Sequence, residues 1–303
     1  MVHLVLIHGR SHEFNIPVTT QRPLEEALRF GLERVQPPDF TAVPVSLAFY
    51  GDAWRPDALP ESAFDGGAQG PTALQAEIAA DMLAAAGTPE SGEVLPEGLG
   101  WNSLNALATR LDDLLHTGDL IVRLFLEDIE RYFADAGRRQ AAIDRVVEAV
   151  HAAGGEVILL GHSLGSVVAY DALSEHPGLP ASGLITLGSP LGLPTVRRRL
   201  RTRRFPPGVA RWVNVYDPRD FVTGREPLRA HFPADDERLV EDVENEGRAP
   251  GLTNLTAAHD GTVYLSSIAL ARALRDMIAA GSAPDAAVRE HEAVSARYLN
   301  ASK

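Results

Sequence analysis

The sequence predicts an α/β fold: a mostly parallel sheet of about six or more strands with helices on both faces. Three observations predict it. Compact apolar runs alternate with stretches of helical spacing along most of the chain, the pattern of a parallel sheet built from strand–helix–strand units. Gly161-His162-Ser163-Leu164-Gly165 joins an apolar run, 156–160, to a helix-like run, 166–173, so a sharp strand–turn–helix junction falls mid-chain. Polar turns follow the apolar runs at His8-Gly9, Gly188-Ser189-Pro190 and 217–220. In a parallel sheet such turns gather at the carboxyl edge, where ligands bind.

The elements follow in order. Val2–Ile7 is a buried first strand that ends at His8-Gly9. Leu24, Ala27, Leu28, Leu32 and Val35 recur at helical spacing, and Pro37-Pro38 stops that helix. Thr41–Tyr50 reads as the second strand, Glu156–Leu160 as the third, Gly183–Leu187 as the fourth and Arg211–Tyr216 as the fifth. Arg238–Val243 is a weaker sixth. Ala141–His151 places Ile143, Val146, Val147 and Val150 on one helical face, and Val263–Ile278 is the closing helix. The whole chain, 1–303, reads as one domain, with 283–303 a peripheral helix or frayed tail.

Residues 51–132 break the rhythm. They contain a Pro-, Gly- and Asp-rich loop over 51–70, a helix over Pro71–Ala86, a loop over 88–100, and amphipathic helices over Asn102–Leu115 and Asp119–Phe133. One crossover needs less chain than this. The insertion either caps the active edge as a lid or packs its helices on the sheet.

Composition narrows the function. A net charge of −13 argues against general nucleic-acid binding, which needs a basic footprint. The absence of cysteine excludes disulfides, thiol nucleophiles and thiolate metal sites, and fits a cytoplasmic protein. The N-terminal apolar run is too short for a signal peptide or membrane span, and no apolar run elsewhere is long enough for one. His8 and His12 are four apart, but they lie in a loop and no glutamate completes a zinc motif, so no metal site is expected.

The central motif carries the chemistry. Gly-x-Ser-x-Gly between a strand and a helix is the nucleophile elbow, which lifts a serine hydroxyl above the sheet edge. Serine is a weak nucleophile at neutral pH and needs a general base oriented by a carboxylate. The histidines after Ser163 are His176, His231 and His259. His259 is preferred, because it stands in a loop ahead of the closing helix and can reach over the serine. Asp220 is the preferred acid: it follows the fifth strand and precedes the apolar Phe221-Val222. Asp217 reads as the turn-shaping rival and Asp260 as a weaker one. An oxyanion needs backbone donors; the Leu164 N–H and the Arg10 N–H after the first strand are the candidates.

Taken together, Leu6-Ile7-His8-Gly9, Gly161–Gly165, Leu187–Pro190, Asn214–Asp220 and His259 resemble the α/β-hydrolase family, particularly its lipase- and esterase-like members. The resemblance implies an α/β-hydrolase fold, a Ser163–His259–Asp220 triad and no cofactor. The chain departs from the family in having no His-Gly-Gly-Gly loop, and its proposed cap matches no familiar lid.

The expected activity is hydrolysis of a carboxylic ester or thioester on a small-molecule or lipid-like acyl substrate. The same triad serves an acyltransferase, a cyclising enzyme or a peptidase, and a non-catalytic binding protein on the same scaffold is the third class. Residues 197–204 carry six arginines close to the expected active edge. They read either as a site for an anionic group or partner, or as a solvated face that pairs with the protein's own carboxylates. His162 reads as packing beside the nucleophile.

Overall fold

The structure, a computed structural model, describes residues 2–9, 16–35, 42–54, 71–86, 119–224, 227–245 and 258–280, with the backbone alone over 119–124. Its elements are β1 (Val2–Ile7), α1 (Pro17–Glu33), β2 (Val45–Ala48), α2 (Ala73–Ala86), α3 (Asp119–Ala134), α4 (Ala136–Ala153), β3 (Glu156–His162), α5 (Leu164–Glu175), β4 (Ala181–Leu187), α6 (Pro194–Arg199), β5 (Arg211–Tyr216), β6 (Val240–Glu244) and α7 (Gly261–Leu265). A last helix, α8, covers 268–280.

The six strands form one sheet in the order β2-β1-β3-β4-β5-β6, and every neighbouring pair is parallel. This is the α/β architecture that the alternation of strands and helices predicts. Successive strand residues face opposite sides of the sheet, and both sides are covered. Val5, Ile7, Val157, Leu159, Leu184 and Trp212 point into one core, against α2 to α5. Leu4, Leu6, Ile158, Leu160, Ile185 and Val213 point into the other, against α1, α7 and α8. Burial on both faces explains why the inner strands β1, β3 and β4 are predominantly apolar, whereas the edge strand β6 is Val-Glu-Asp-Val-Glu.

The chain runs from β1 outward to β2, then crosses back to β3 on the other side of β1. The order of strands therefore reverses between β1 and β3, and a crevice opens at their carboxyl ends. His8-Gly9 and the Ser163 turn flank that crevice. The backbones meet closely there. A Cβ on Gly161 would stand 2.6 Å from Ser166 Cα, and one on Gly165 would fall on the carbonyl oxygens of Ile7 and His8. Gly165→Ala is therefore expected to destabilise the fold by about 2–4 kcal/mol through backbone displacement, read as a drop in the denaturant midpoint.

Three elements differ markedly from their predicted extents. The first helix begins at Pro17, seven residues before Leu24, with Pro23 inside it. The second strand is four residues, not ten. Pro44 has no N–H for the ladder, and the Tyr50 N–H turns away to His8 Nε2 at 3.1 Å. The predicted closing helix is two helices. Asp260 caps α7 by accepting the Thr262 N–H at 2.7 Å, and Ser267 Oγ starts α8 by accepting the Leu270 N–H at 3.2 Å. Ser266 and Ser267 form the break.

Within the insertion, the described parts are a 3-10 turn at Gly51–Trp54, α2 and α3. Ile78 and Met82 of α2 and Phe125, Ile129 and Tyr132 of α3 are buried in the core of the elbow helix α5. A polar link adds to this packing. Asp171 Oδ2 on α5 accepts the Tyr132 hydroxyl at 2.6 Å and Arg139 Nη2 at 2.7 Å. Burial pushes the Asp171 carboxyl above its usual range, and Arg139 opposes the shift. The predicted helix over 102–115 and the tail over 283–303 lie outside the described residues.

Candidate active site

Ser163 sits between β3 and α5 with φ 53° and ψ −128°. It is the one residue other than glycine with positive φ among the described residues. Side chains rarely adopt this region, and its occupancy by an ordered residue marks local strain. Neighbouring contacts hold it there. The Ser163 N–H donates to Leu187 O at 2.9 Å. Its carbonyl accepts from Ser166 Oγ, and Ser166 Oγ lies 2.6 Å from Ser189 Oγ on the turn after β4.

The structure brings three of the predicted residues together. His259 Nε2 lies 2.9 Å from Ser163 Oγ, and His259 Nδ1 lies 2.8 Å from Asp220 Oδ2. A carboxylate only accepts, so the ring proton belongs on Nδ1 and the Nε2 lone pair faces the serine hydroxyl. This is the tautomer a general base needs. The Asp220 side chain is fully buried and the His259 side chain is 15% exposed, so the pair is largely shielded from water. Asp220 Oδ1 is fixed separately by the Val222 N–H at 3.1 Å.

The rival acids are engaged elsewhere. Asp217 Oδ1 accepts the Arg219 N–H at 2.9 Å, and its Oδ2 pairs with Arg219 Nη2 at 2.6 Å. Asp260 caps α7. Of the other histidines, His176 is the C-cap of α5 and His231 follows a 3-10 turn at Leu228–Ala230. His162 reaches the site from the other side: its Nε2 lies 3.0 Å from the His259 carbonyl, and the two rings are 5.1 Å apart.

Of the two expected oxyanion donors, Leu164 begins α5, so its N–H is one of the four that the helix leaves unused. Arg10 lies outside the described residues. The residue before it, Gly9, is against the serine: a Cβ there would be 3.1 Å from Ser163 Cβ.

Several contributors carried no sequence signal that singled them out. Tyr50, just past β2, stacks on His8 with ring centroids 4.0 Å apart. Its hydroxyl lies 2.8 Å from the carbonyls of both His8 and Gly9, so it anchors the turn beside the serine. Burial holds the Tyr50 phenol well above its usual pKa, with Asp128 adding to the shift; it remains a donor. Phe125 of α3 meets the His259 ring edge-on at 5.8 Å. Tyr264, five residues after His259, donates to Asp220 Oδ2 at 2.9 Å.

The arginine run is mostly engaged within the molecule. Arg198 and Arg199 approach Glu77 at 3.5 and 3.3 Å, and Arg201 pairs with Glu175 at 2.8 Å. Arg204 pairs with Asp235, and Arg197 donates to the Gly192 carbonyl. Among the described residues, no helix is long and apolar enough to cross a membrane.

No protein-family model matches the chain, and no curated protein matches it. Among solved structures, it is similar to the crystal structure of PytH_H230A, at 14% identity and a TM-score of 0.36, over 93% of this chain and 100% of that one. It is also similar to a novel pyrethroid hydrolase from Sphingobium faniae JZ-2, at 15% identity and a TM-score of 0.33, over 94% of this chain and 99% of that one.

Proposed function

We propose that this protein is a serine hydrolase that cleaves a carboxylic ester or thioester through an acyl-enzyme. The observation that supports it is the hydrogen-bond chain from Ser163 Oγ through His259 to Asp220, at the carboxyl edge of the sheet. Ser163 Oγ attacks the substrate carbonyl while its proton passes to His259 Nε2. The Leu164 N–H, with the Arg10 N–H as the expected second donor, stabilises the oxyanion. The imidazolium, supported by Asp220, gives its proton to the departing alkoxide or thiolate. Water then attacks the acyl-enzyme by the same route, with His259 as base, and releases the acid. The reaction needs no cofactor.

α2 and α3 pack into the core beside α5, so only part of 51–132 is proposed to cap the crevice, with Phe125 as an apolar wall beside His259. A wall of this kind suits the hydrocarbon part of an acyl or alkoxy group.

Intact-mass labelling with a fluorophosphonate tests the proposal. One adduct per wild-type chain is expected, and none on Ser163→Ala. Folded wild type that takes no adduct and turns over no ester or thioester across a chain-length panel would overturn it.

A further inference from the structure

Asp220 Oδ2 is shared. It accepts the imidazole Nδ1–H at 2.8 Å and the Tyr264 hydroxyl at 2.9 Å. The Tyr264 hydroxyl in turn accepts the Asp217 N–H at 2.9 Å. A phenol carries one proton and accepts through its lone pairs. With the backbone N–H on its acceptor side, its proton is committed to the carboxylate.

Tyr264 is held for this role. Its residue is fully buried. Its ring packs over Gly188, where φ is 53° and a Cβ would stand 2.8 Å from the ring. Only a glycine leaves room there for the phenol to reach Asp220. His259 precedes α7 by two residues and Tyr264 lies within it, so one short stretch of chain, 259–264, supplies both groups that meet at Oδ2.

We propose that Tyr264 is a positioning residue that moderates the Asp220 carboxylate and so sets the proton affinity of His259. The proposal rests on the hydrolase reading for its consequence in catalysis, but not for its test. A carboxylate charge that two donors share at one oxygen stabilises the imidazolium less than one that the imidazole holds alone. Removing the phenol would leave that charge to the imidazole alone. Among the described residues, the other titratable and charged groups facing the pair are His162 at the end of β3, Asp217 with its partner Arg219 after β5, and Asp260 ahead of α7. Phe125, the α3 residue in contact with His259, is apolar.

Burial and the Asp220 charge hold the Tyr264 phenol well above its usual pKa, so it keeps its proton throughout the range in which a histidine titrates.

The test is NMR titration of the histidine ring resonances in wild type and Tyr264→Phe, with His259 assigned by His259→Gln. Phenylalanine keeps the ring over Gly188 and removes only the hydroxyl. The expected result is a His259 pKa raised by about half a unit to one unit in Tyr264→Phe, with that of His162 moving less. An unchanged His259 titration would overturn the proposal. So would a downward shift, because it would mean that the carboxylate had left the imidazole and that the phenol was only a packing support. If Tyr264→Phe melts below the titration range, Tyr264→Leu, which also removes the hydroxyl and leaves Gly188 and Asp220 uncrowded, must shift His259 upward in its place or the proposal fails. Fluorophosphonate labelling of the same samples separates the two readings: a shifted His259 in a chain that never labels would leave Tyr264 in its role and refute the hydrolase.

Discussion

Ser163→Ala and His259→Ala are each expected to lower kcat/KM on the best ester of a chain-length panel by about 10⁴- to 10⁶-fold while leaving the far-UV circular dichroism unchanged. The size follows from the proposed mechanism. Ser163 Oγ has an imidazole 2.9 Å away whose far side is fixed by a buried carboxylate, so in that mechanism attack and proton transfer form one unit. Removing either member disables that unit, and the double variant is expected to be no slower than the single ones by more than a small factor. Ser163→Ala removes one oxygen from a buried turn and does not disturb the contacts of Gly161 and Gly165. If either single variant retained more than a tenth of wild-type turnover, the proposed nucleophile or base would be wrong.

The second large effect is expected at the acid. Asp220→Asn is expected to cost about 10³- to 10⁴-fold in kcat, and Asp217→Asn less than about tenfold. The Val222 N–H fixes the acceptor side of residue 220 at Oδ1. An asparagine would therefore keep its oxygen there and turn its NH₂ toward the Oδ2 position. That donor would face His259 Nδ1 and the Tyr264 hydroxyl, both donors in the wild type. His259 could meet it only by moving its proton to Nε2, which removes the lone pair that Ser163 needs. Asp217, by contrast, spends its carboxylate on Arg219, so its amide would loosen a turn without reversing a tautomer. Parallel pH–rate profiles of the two variants check this. A larger loss at Asp217 would move the acid to that position.

The sheet was legible because its chemistry is repetitive. Apolar runs that end in polar turns mark the inner strands, and all six predicted strands, the weaker 238–243 included, overlap observed ones. What the sequence hid was set by partners distant along the chain. Nothing near Tyr50 indicates that its N–H leaves the ladder for the His8 ring, so the second strand read too long. The break after Leu265 also escaped, because 263–278 keeps helical spacing across two serines that act as cap and linker. That Ser163, Asp220 and His259 meet was legible because strand–turn–helix order constrains where each must stand. Tyr264 and Phe125 were not, because each reads locally as an ordinary apolar helix residue. Only the fold places one on the carboxylate and the other on the imidazole.

The backbone of Ser163 has a consequence for robustness. At φ 53° and ψ −128° the residue occupies a conformation that glycine adopts without penalty and serine does not. Ser163→Gly is therefore expected to unfold at a higher temperature than Ser163→Ala, and to exceed the wild type by up to roughly 1 kcal/mol of stability although it is inert. The strain at Ser163 would then count as a stability cost carried by the very residue whose hydroxyl the proposed chemistry uses.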